Sequence, residues 1–420
     1  MLRSFIFKRI TQITARRPNT VSRSSVSCRH FRSSSSSSSN DDASTMLFLS
    51  EQDVKECLTM QDCLEVNRAA LISIATGQAQ VPSRLALPYR PPTVAALSEE
   101  PEQEENQETL EAVDWTLFKP ASLTNTNQMG IKVVSVRANN PAQGLPMVPA
   151  TILSLNAATG QVQGVVAATY LTAARTAAGS ALSTVLLQDH IQRVTVFGAG
   201  LQARMHIQAL YAALHEQPIP HVTIVNRTLI NAQALADQIR DEHQWATTTS
   251  AVALDDSLGV AEALSKTQVI YTTTNTMTPL FDASCVAPGT HIAGVGSYTP
   301  QMQEVSARMV DQCRVLMDTP DARHSVGDLQ HLAPQHPVCL VGTALKWQQQ
   351  QQQSDERNDI APPSLEEQAE WYEPTQQFHP QLHTCTFYKS VGTAIQDVMT
   401  ADWVVQQART KNIGTVVDMD

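Results

Sequence analysis

No stretch of this sequence approaches the roughly 20 consecutive apolar residues that a bilayer-crossing helix needs, so no transmembrane segment is read from it. Cysteine is sparse and shows no pairing pattern. Its seven thiols (Cys28, Cys57, Cys63, Cys285, Cys313, Cys339 and Cys385) are odd in number, scattered and without a CxxC, which argues against a disulfide framework and a zinc cluster. A reducing compartment follows, and no metal site is expected. Positive charge is scarce outside the first forty residues. Those forty hold eight Lys/Arg and no acid, leaving twenty-one bases against forty acids in the remainder, a net charge near −19. Such a body lacks the basic face that nucleic acid or an anionic membrane requires.

What is present divides the chain into unequal parts. At 420 residues it exceeds a single-core size, so two domains plus unstructured segments are expected. Residues 1–45 are Arg-rich and Ser-rich, and Leu2, Phe5, Ile6, Ile10 and Ile13 separate from Arg3, Lys8, Arg9 and Arg16 on a helix. That is the composition of an organellar transit peptide, pointing to the mitochondrial matrix. A start at Met46 would instead leave the product in the cytosol.

From residue 46 to about 75 the apolar spacing predicts one or two helices, followed by a short extended piece, VPSRLALP, around Arg84. Residues 91–114 read as an acidic, solvated insertion. KVVSVRA and ATILSLNAATGQVQGVVAA then predict antiparallel strands turning at residues 157–160, before a helix over 172–187 with Arg175 in its first turn.

Between 189 and 346 strands and helices alternate, which calls for a doubly wound parallel sheet. In that block Gly198-Ala199-Gly200-Leu201-Gln202-Ala203 forms a GxGxxA turn directly after the apolar strand Val194–Phe197 and directly before a helix. The first glycine allows the tight turn, the second admits a pyrophosphate, and the small Ala203 lets helix and strand pack closely. The next strand ends in Asn226-Arg227-Thr228, where an NAD enzyme would carry an acid for the ribose 2′-hydroxyl. Arg227 suits a 2′-phosphate instead, with Asn226 and Thr228 adding hydrogen bonds, so NADPH is favoured over NAD(H). Residues 347–383, opening on six glutamines, are expected to be disordered. The chain closes on a packed helix in 384–420, which with 46–188 makes up the second, α+β domain.

The segments GIKVVSV, YLTAARTAAGSAL, VFGAGLQARMHIQAL, VNRT, PLFDASCVAPGTHIAGVGSYTPQMQE and FYKSVGTAIQD resemble, in order, the ornithine cyclodeaminase and mu-crystallin family. The resemblance implies a homodimer whose substrate and dimerisation domain sits beside a Rossmann domain. It also implies handling of an alpha-amino or alpha-imino carboxylate: reduction of cyclic ketimines with NADPH, cyclodeamination of ornithine or lysine with NAD, or interconversion of alanine and pyruvate. Mu-crystallin also binds thyroid hormone, so a non-catalytic binding protein is a further alternative.

By motif the resemblance places Arg84 and Arg175 on the substrate carboxylate, Lys132 as the active-site lysine, and Ser390 and Gly392 near the nicotinamide. Cyclodeaminases of the family carry an aspartate in a GGDxPGKTE-like stretch; here Gly296-Ser297-Tyr298-Thr299-Pro300 has tyrosine in its place. That departure favours a reductase of small cyclic imine carboxylates over a cyclodeaminase.

Overall fold

The computed structural model describes residues 45–89, 114–124, 126–354, 363–369, 371–372 and 384–419. Residues 1–44, expected to be a transit peptide, and nearly all of the acidic insertion lie outside these residues. The described chain is built around two eight-stranded sheets.

The first sheet takes β1 (Thr45–Leu49), β2 (Ala79–Gln80), β3 (Leu85–Tyr89), β4 (Asp114–Leu123), β5 (Gln128–Val136), β6 (Ala150–Asn156) and β7 (Val162–Ala167). The second takes β8 (Arg193–Phe197), β9 (Ile219–Asn226), β10 (Ala246–Ala253), β11 (Val269–Thr272), β12 (His291–Gly294), β13 (Cys313–Met317), β14 (Val338–Leu340) and β15 (Cys385–Lys389). A last strand, β16 (Thr415–Asp418), returns to the first sheet beside β1.

The helices are α1 (Glu51–Cys57), α2 (Met60–Ala75), α3 (Thr169–Leu187), α4 (Leu201–Ala213), α5 (Leu229–Asp237), α6 (Ser257–Ser265), the short α7 (Ala307–Val310) and α8 (Ala322–Ser325), α9 (Val341–Ser354), α10 (Leu365–Ala369) and α11 (Ala394–Lys411). Ser50 and Thr59 each close a capping box with the aspartate three residues on, which fixes where α1 and α2 begin.

In the first sheet the order is β16-β1-β7-β6-β5-β4-β2, with β3 also on β4, and only β1 and β7 run parallel. Its register sets Lys119 of β4 directly opposite Lys132 of β5. Helix α11 crosses this sheet and buries Ile395, Val398 and Met399 with Val66 and Ala70 of α2. The second sheet is parallel throughout, in the order β10-β9-β8-β11-β12-β15-β13-β14. Because its strands are parallel, all their carboxyl ends share one edge. Ligand loops of doubly wound sheets gather at that edge.

Five expectations need correction. Helix α3 starts at Thr169, not 172, so Arg175 sits in its second turn. Strand β1 precedes the first helices, where only helices were expected. Strand β10, ATTTSAVA, stands where no strand is expected, because Thr and Ala give it no apolar alternation, and as an edge strand it is only partly buried. Residues 385–389 are not part of the α+β domain: CTFYK is a fully buried strand inserted between β12 and β13 of the dinucleotide sheet. The glutamine run Gln348–Gln353 is helical, continuing α9 from its buried Val341, Ala344 and Leu345. Glutamine is a good helix former once a packed turn has nucleated the helix. Arg68 of α2 donates to Gln348 at 2.9 Å and ties the run to the body.

Candidate active site

The nucleotide loop forms as its sequence dictates. Gly198 sits at φ 109, donates its N–H to the Val225 carbonyl at 2.8 Å, and passes so close to Thr273 that a Cβ would fall 2.6 Å from Oγ1. Gly200 is the N-cap of α4, and nothing lies within 4 Å of where its Cβ would stand. That open space before free helix N–H groups fits a diphosphate. Ala203 is fully buried against the sheet and Leu201 is exposed, while Gln202 accepts at its carbonyl from His206 at 2.7 Å. A hollow of about 370 Å³ beside the loop is lined by Ala199, Gly200, Leu201 and Arg204 of α4 and by Asn231 and Gln238 beyond the next strand. Arg204 is a cation at this loop that sequence reasoning missed, because it lies one residue outside the GxGxxA pattern. Asn226 donates to the Thr228 carbonyl at 3.0 Å, and Arg227 and Thr228 are exposed at the end of β9.

The three candidates for substrate chemistry do not all reach one space. Lys132 and Arg175 are 1% and 4% exposed, and both pair with Asp397 of α11, Lys132 Nζ at 2.6 Å and Arg175 Nε at 2.7 Å. Burial pushes the Lys132 ammonium well below its ordinary value, the neighbouring Arg175 adds to this, and Asp397 opposes it. Burial raises the Asp397 carboxyl, but Arg175, Lys132 and Lys119 outweigh it and hold the group below its ordinary value. Asp397 was missed in the sequence because an acid in a helix reads as solvated surface; only the fold shows it fully buried.

Arg84 stands apart from that pair. It is partly buried, donates to the Tyr298 carbonyl at 3.4 Å, and lines a cavity of about 320 Å³. The cavity's other walls are Val81–Ser83, Lys119, Thr319, Asp321, His324 and Ser325 after β13, and Val391–Ala394 after β15. It therefore opens at the carboxyl edge of the dinucleotide sheet and is closed by the first sheet. Lys119 is the third missed residue: it lies 7% exposed in FKPAS, a segment with no recognisable motif.

Ser390 and Gly392 are anchors of this wall. Asp318 accepts from Ser390 Oγ at 2.9 Å and from the N–H groups of Val391 and Gly392 at 3.0 and 2.7 Å. Gly392 adopts φ 74, a left-handed conformation that side chains rarely take, and a Cβ there would lie 2.6 Å from Arg175 Nη1. The loop thus lies directly over the Arg175 guanidinium. Its carbonyl accepts from Lys119 Nζ at 2.7 Å.

Behind the loop a second buried set holds the edge in place. Lys389 donates to Ser297 at 2.6 Å and pairs with Asp328 at 3.0 Å, and Ser297 also donates to Asp328. The Glu304 carboxylate accepts from Thr274 N–H at 2.6 Å and Gly296 N–H at 2.7 Å. Tyr298, the residue in place of the family's aspartate, follows directly after this anchored turn. No group of three or more His, Cys, Asp or Glu able to hold a metal occurs among the described residues.

A dinucleotide loop and a cation-lined cavity thus share one sheet edge. The profile of the ornithine cyclodeaminase/mu-crystallin family covers residues 44–359. The chain belongs to that family. An uncharacterized cyclodeaminase of Dictyostelium discoideum is 28% identical over 394 residues, covering 89% of this chain and 100% of the relative. A Delta(1)-pyrroline-2-carboxylate reductase of Bacillus cereus is 25% identical over 384 residues, with 89% and 100% covered. Among solved structures, Thermococcus litoralis Delta(1)-pyrroline-2-carboxylate reductase in complex with NADH and L-proline shares the fold. Its TM-score is 0.68 at 22% identity, covering 88% of this chain and 99% of that one.

Proposed function

We propose that this protein is a nicotinamide-dependent oxidoreductase acting on C=N bonds, and specifically an NADPH-dependent reductase of small cyclic ketimine carboxylates that yields cyclic L-amino acids. The observation that carries the reading is the cavity itself. Its cationic wall of Arg84 and Lys119, backed by Lys132 and Arg175 around Asp397, opens where the dinucleotide sheet presents its loops. Four basic groups against the carboxylates of Asp397, Asp318 and Asp321 leave an excess of one positive charge for an anionic substrate. The names of the Bacillus relatives agree with such a substrate.

The residues present fit the cofactor, since Gly198, Gly200 and the start of α4 leave the room a diphosphate needs. When bound, the nicotinamide supplies a hydride to the imine carbon. The chain's own groups bind and orient the substrate. Arg84 meets the carboxylate from the cavity rim. Arg175, whose Nη1 is buried without a hydrogen-bond partner, backs the loop at Gly392. Asp397 pairs with both Lys132 and Arg175 and fixes both side chains. Arg227 at the end of β9, in place of an acid, supports a preference for NADPH.

The cyclodeaminase reading ranks second. It draws on the name of the Dictyostelium relative, while Tyr298 stands where the family's cyclodeaminases keep an acid. A homodimer and, from the basic acid-free leader, a mitochondrial address belong to the same proposal. Arg175→Ala tests the site assignment: kcat/KM for a cyclic imine carboxylate is expected to fall by about 100-fold, with kcat and KM both affected, because orientation contributes several kcal/mol. Full retention of kcat/KM would remove Arg175 from the substrate machinery.

A further inference from the structure

Resting on the reductase reading above, we propose that Lys119 is a catalytic residue: the ammonium that touches the substrate and delivers the proton to its ring nitrogen.

Only two of the four cations reach the cavity. Lys119 and Arg84 line it; Lys132 and Arg175 do not. Lys132 Nζ is committed to Asp397 at 2.6 Å, and its side chain is 1% exposed. Lys119 spends one donor on the Gly392 carbonyl at 2.7 Å and has two N–H groups left. Its carbonyl partner belongs to the loop after β15, so Lys119 is held at the junction of the two sheets, where a substrate held by Arg84 must pass close to the carboxyl edge. A group at that junction can reach both the substrate and its reacting bond.

The electrostatics suit a proton donor. Burial lowers the Lys119 ammonium to about 8; Asp397 opposes this, Arg175 and Arg84 add to it, and Asp318 opposes it. Those groups come from α11, α3, the approach to β3 and the loop after β13; Lys132 faces it from β5, and Asp321 and His324 complete the cavity wall. Such a donor is charged at neutral pH and gives up its proton readily.

The step balances. The imine carbon gains a C–H bond from the hydride, the C=N π pair settles on nitrogen, and that nitrogen takes a proton from Lys119 Nζ. The substrate becomes a secondary amine, the nicotinamide is the two-electron reductant, and the neutral Lys119 amine regains its proton from solvent. In this scheme Lys132 is a positioning residue that acts through Asp397.

The test compares the wild-type chain with Lys119→Met, Lys119→Arg and Lys132→Met, using a five-membered cyclic imine carboxylate and reduced nicotinamide across a pH series. In the wild type kcat/KM is expected to fall as pH rises past about 8. Lys119→Met should lower kcat by about 100-fold and abolish that alkaline limb. Lys119→Arg keeps a buried cation and so the fold, but its guanidinium stays protonated across the series, so it should lose the limb and keep the lowered kcat while retaining L-proline affinity; Lys132→Met should retain the limb. A second readout is independent of turnover: L-proline binding, followed by calorimetry, should weaken by about tenfold in Lys119→Met. An unchanged limb or unchanged L-proline affinity in Lys119→Met overturns the proposal. Wild-type enzyme that reduces no imine overturns the reductase reading and this inference together, whereas turnover indifferent to Lys119 overturns the inference alone.

Discussion

Asp397 is the residue on which the site most depends. It lies fully buried between Lys132 and Arg175, and among the described residues no other carboxylate pairs with either. Removing one partner from a buried ion cluster leaves uncompensated charge, which typically costs about 3–5 kcal/mol. Asp397→Asn is therefore expected to lower the unfolding free energy by about that amount, read from the urea midpoint at unchanged slope. A loss below about 1 kcal/mol would mean that the cluster is not a fixed structural unit. Because the folded carboxyl is held below its ordinary value, its contribution is present above the usual carboxylate range and fades as pH falls through the folded value.

The same residue shows what the sequence could tell at this scale. Arg84, Lys132 and Arg175 were legible because they sit in motifs. Lys119 was not, and Asp397, although it closes the FYKSVGTAIQD segment, showed no role there, since nothing in the order of residues says that α11 covers β4 and β5 or that Lys119 and Lys132 are cross-strand partners.

At the scale of elements, the closing helix does two jobs. Through Val398 and Ile395 it completes a small core with α2, and through Asp397 it charges the site. A buried amide network couples the two helices: Asn67 of α2 donates to the Cys63 carbonyl at 2.8 Å and accepts from Gln396 Nε2 at 3.1 Å. Asn67 is fully buried, so Asn67→Ala leaves Gln396 unsatisfied in the interior. A stability loss of about 1–3 kcal/mol is expected on thermal or chemical unfolding. An unchanged midpoint would show that α2 and α11 are held by apolar packing alone.

Elements with strong periodicity or a motif were legible: the strand–loop–helix of Val194–Ala213, strands β5 to β7, and α11. Those that misled were short or chemically plain. Strand β15 was hidden because a five-residue apolar run carries no sign of which sheet receives it, and its neighbours β12 and β13 lie far back in the chain. The glutamine run misled for the opposite reason. Its composition suggests a chain without a core, yet it continues a helix whose first turn is buried.

At the scale of the whole molecule, the core stores acid sensitivity in two histidines. His206 and His291 are fully buried, and burial lowers them to about 4 and about 3 respectively. His291 lies between Ser183 and Thr386 at 3.1 and 2.8 Å, joining α3 to β15. Both rings stay neutral in the folded chain while the unfolded chain protonates them at an ordinary histidine value near 6.5. Between those values the unfolded state binds more protons, so stability rises with pH across that window and is lost as pH drops below about 6.5. The unfolding midpoint of the wild type is expected to decline from pH 7 to pH 5, and His291→Gln to flatten that slope. A wild-type midpoint constant over the interval would contradict it.

Charge is also arranged at this scale. The acid-rich body leaves its excess of cations where the two sheets meet the cavity, so an anionic substrate finds its attraction concentrated there. That contrast follows from the fold, and composition alone hid it.

The reductase activity is tested most directly by the fall in reduced-nicotinamide absorbance when protein beginning near Met46 is given five- and six-membered cyclic imine carboxylates. NADH and L-ornithine are run in parallel. Rapid NADPH oxidation that consumes the imine and forms the cyclic L-amino acid, slower with NADH, is the predicted result. No oxidation with either imine, together with proline and ammonia appearing from ornithine, would contradict it.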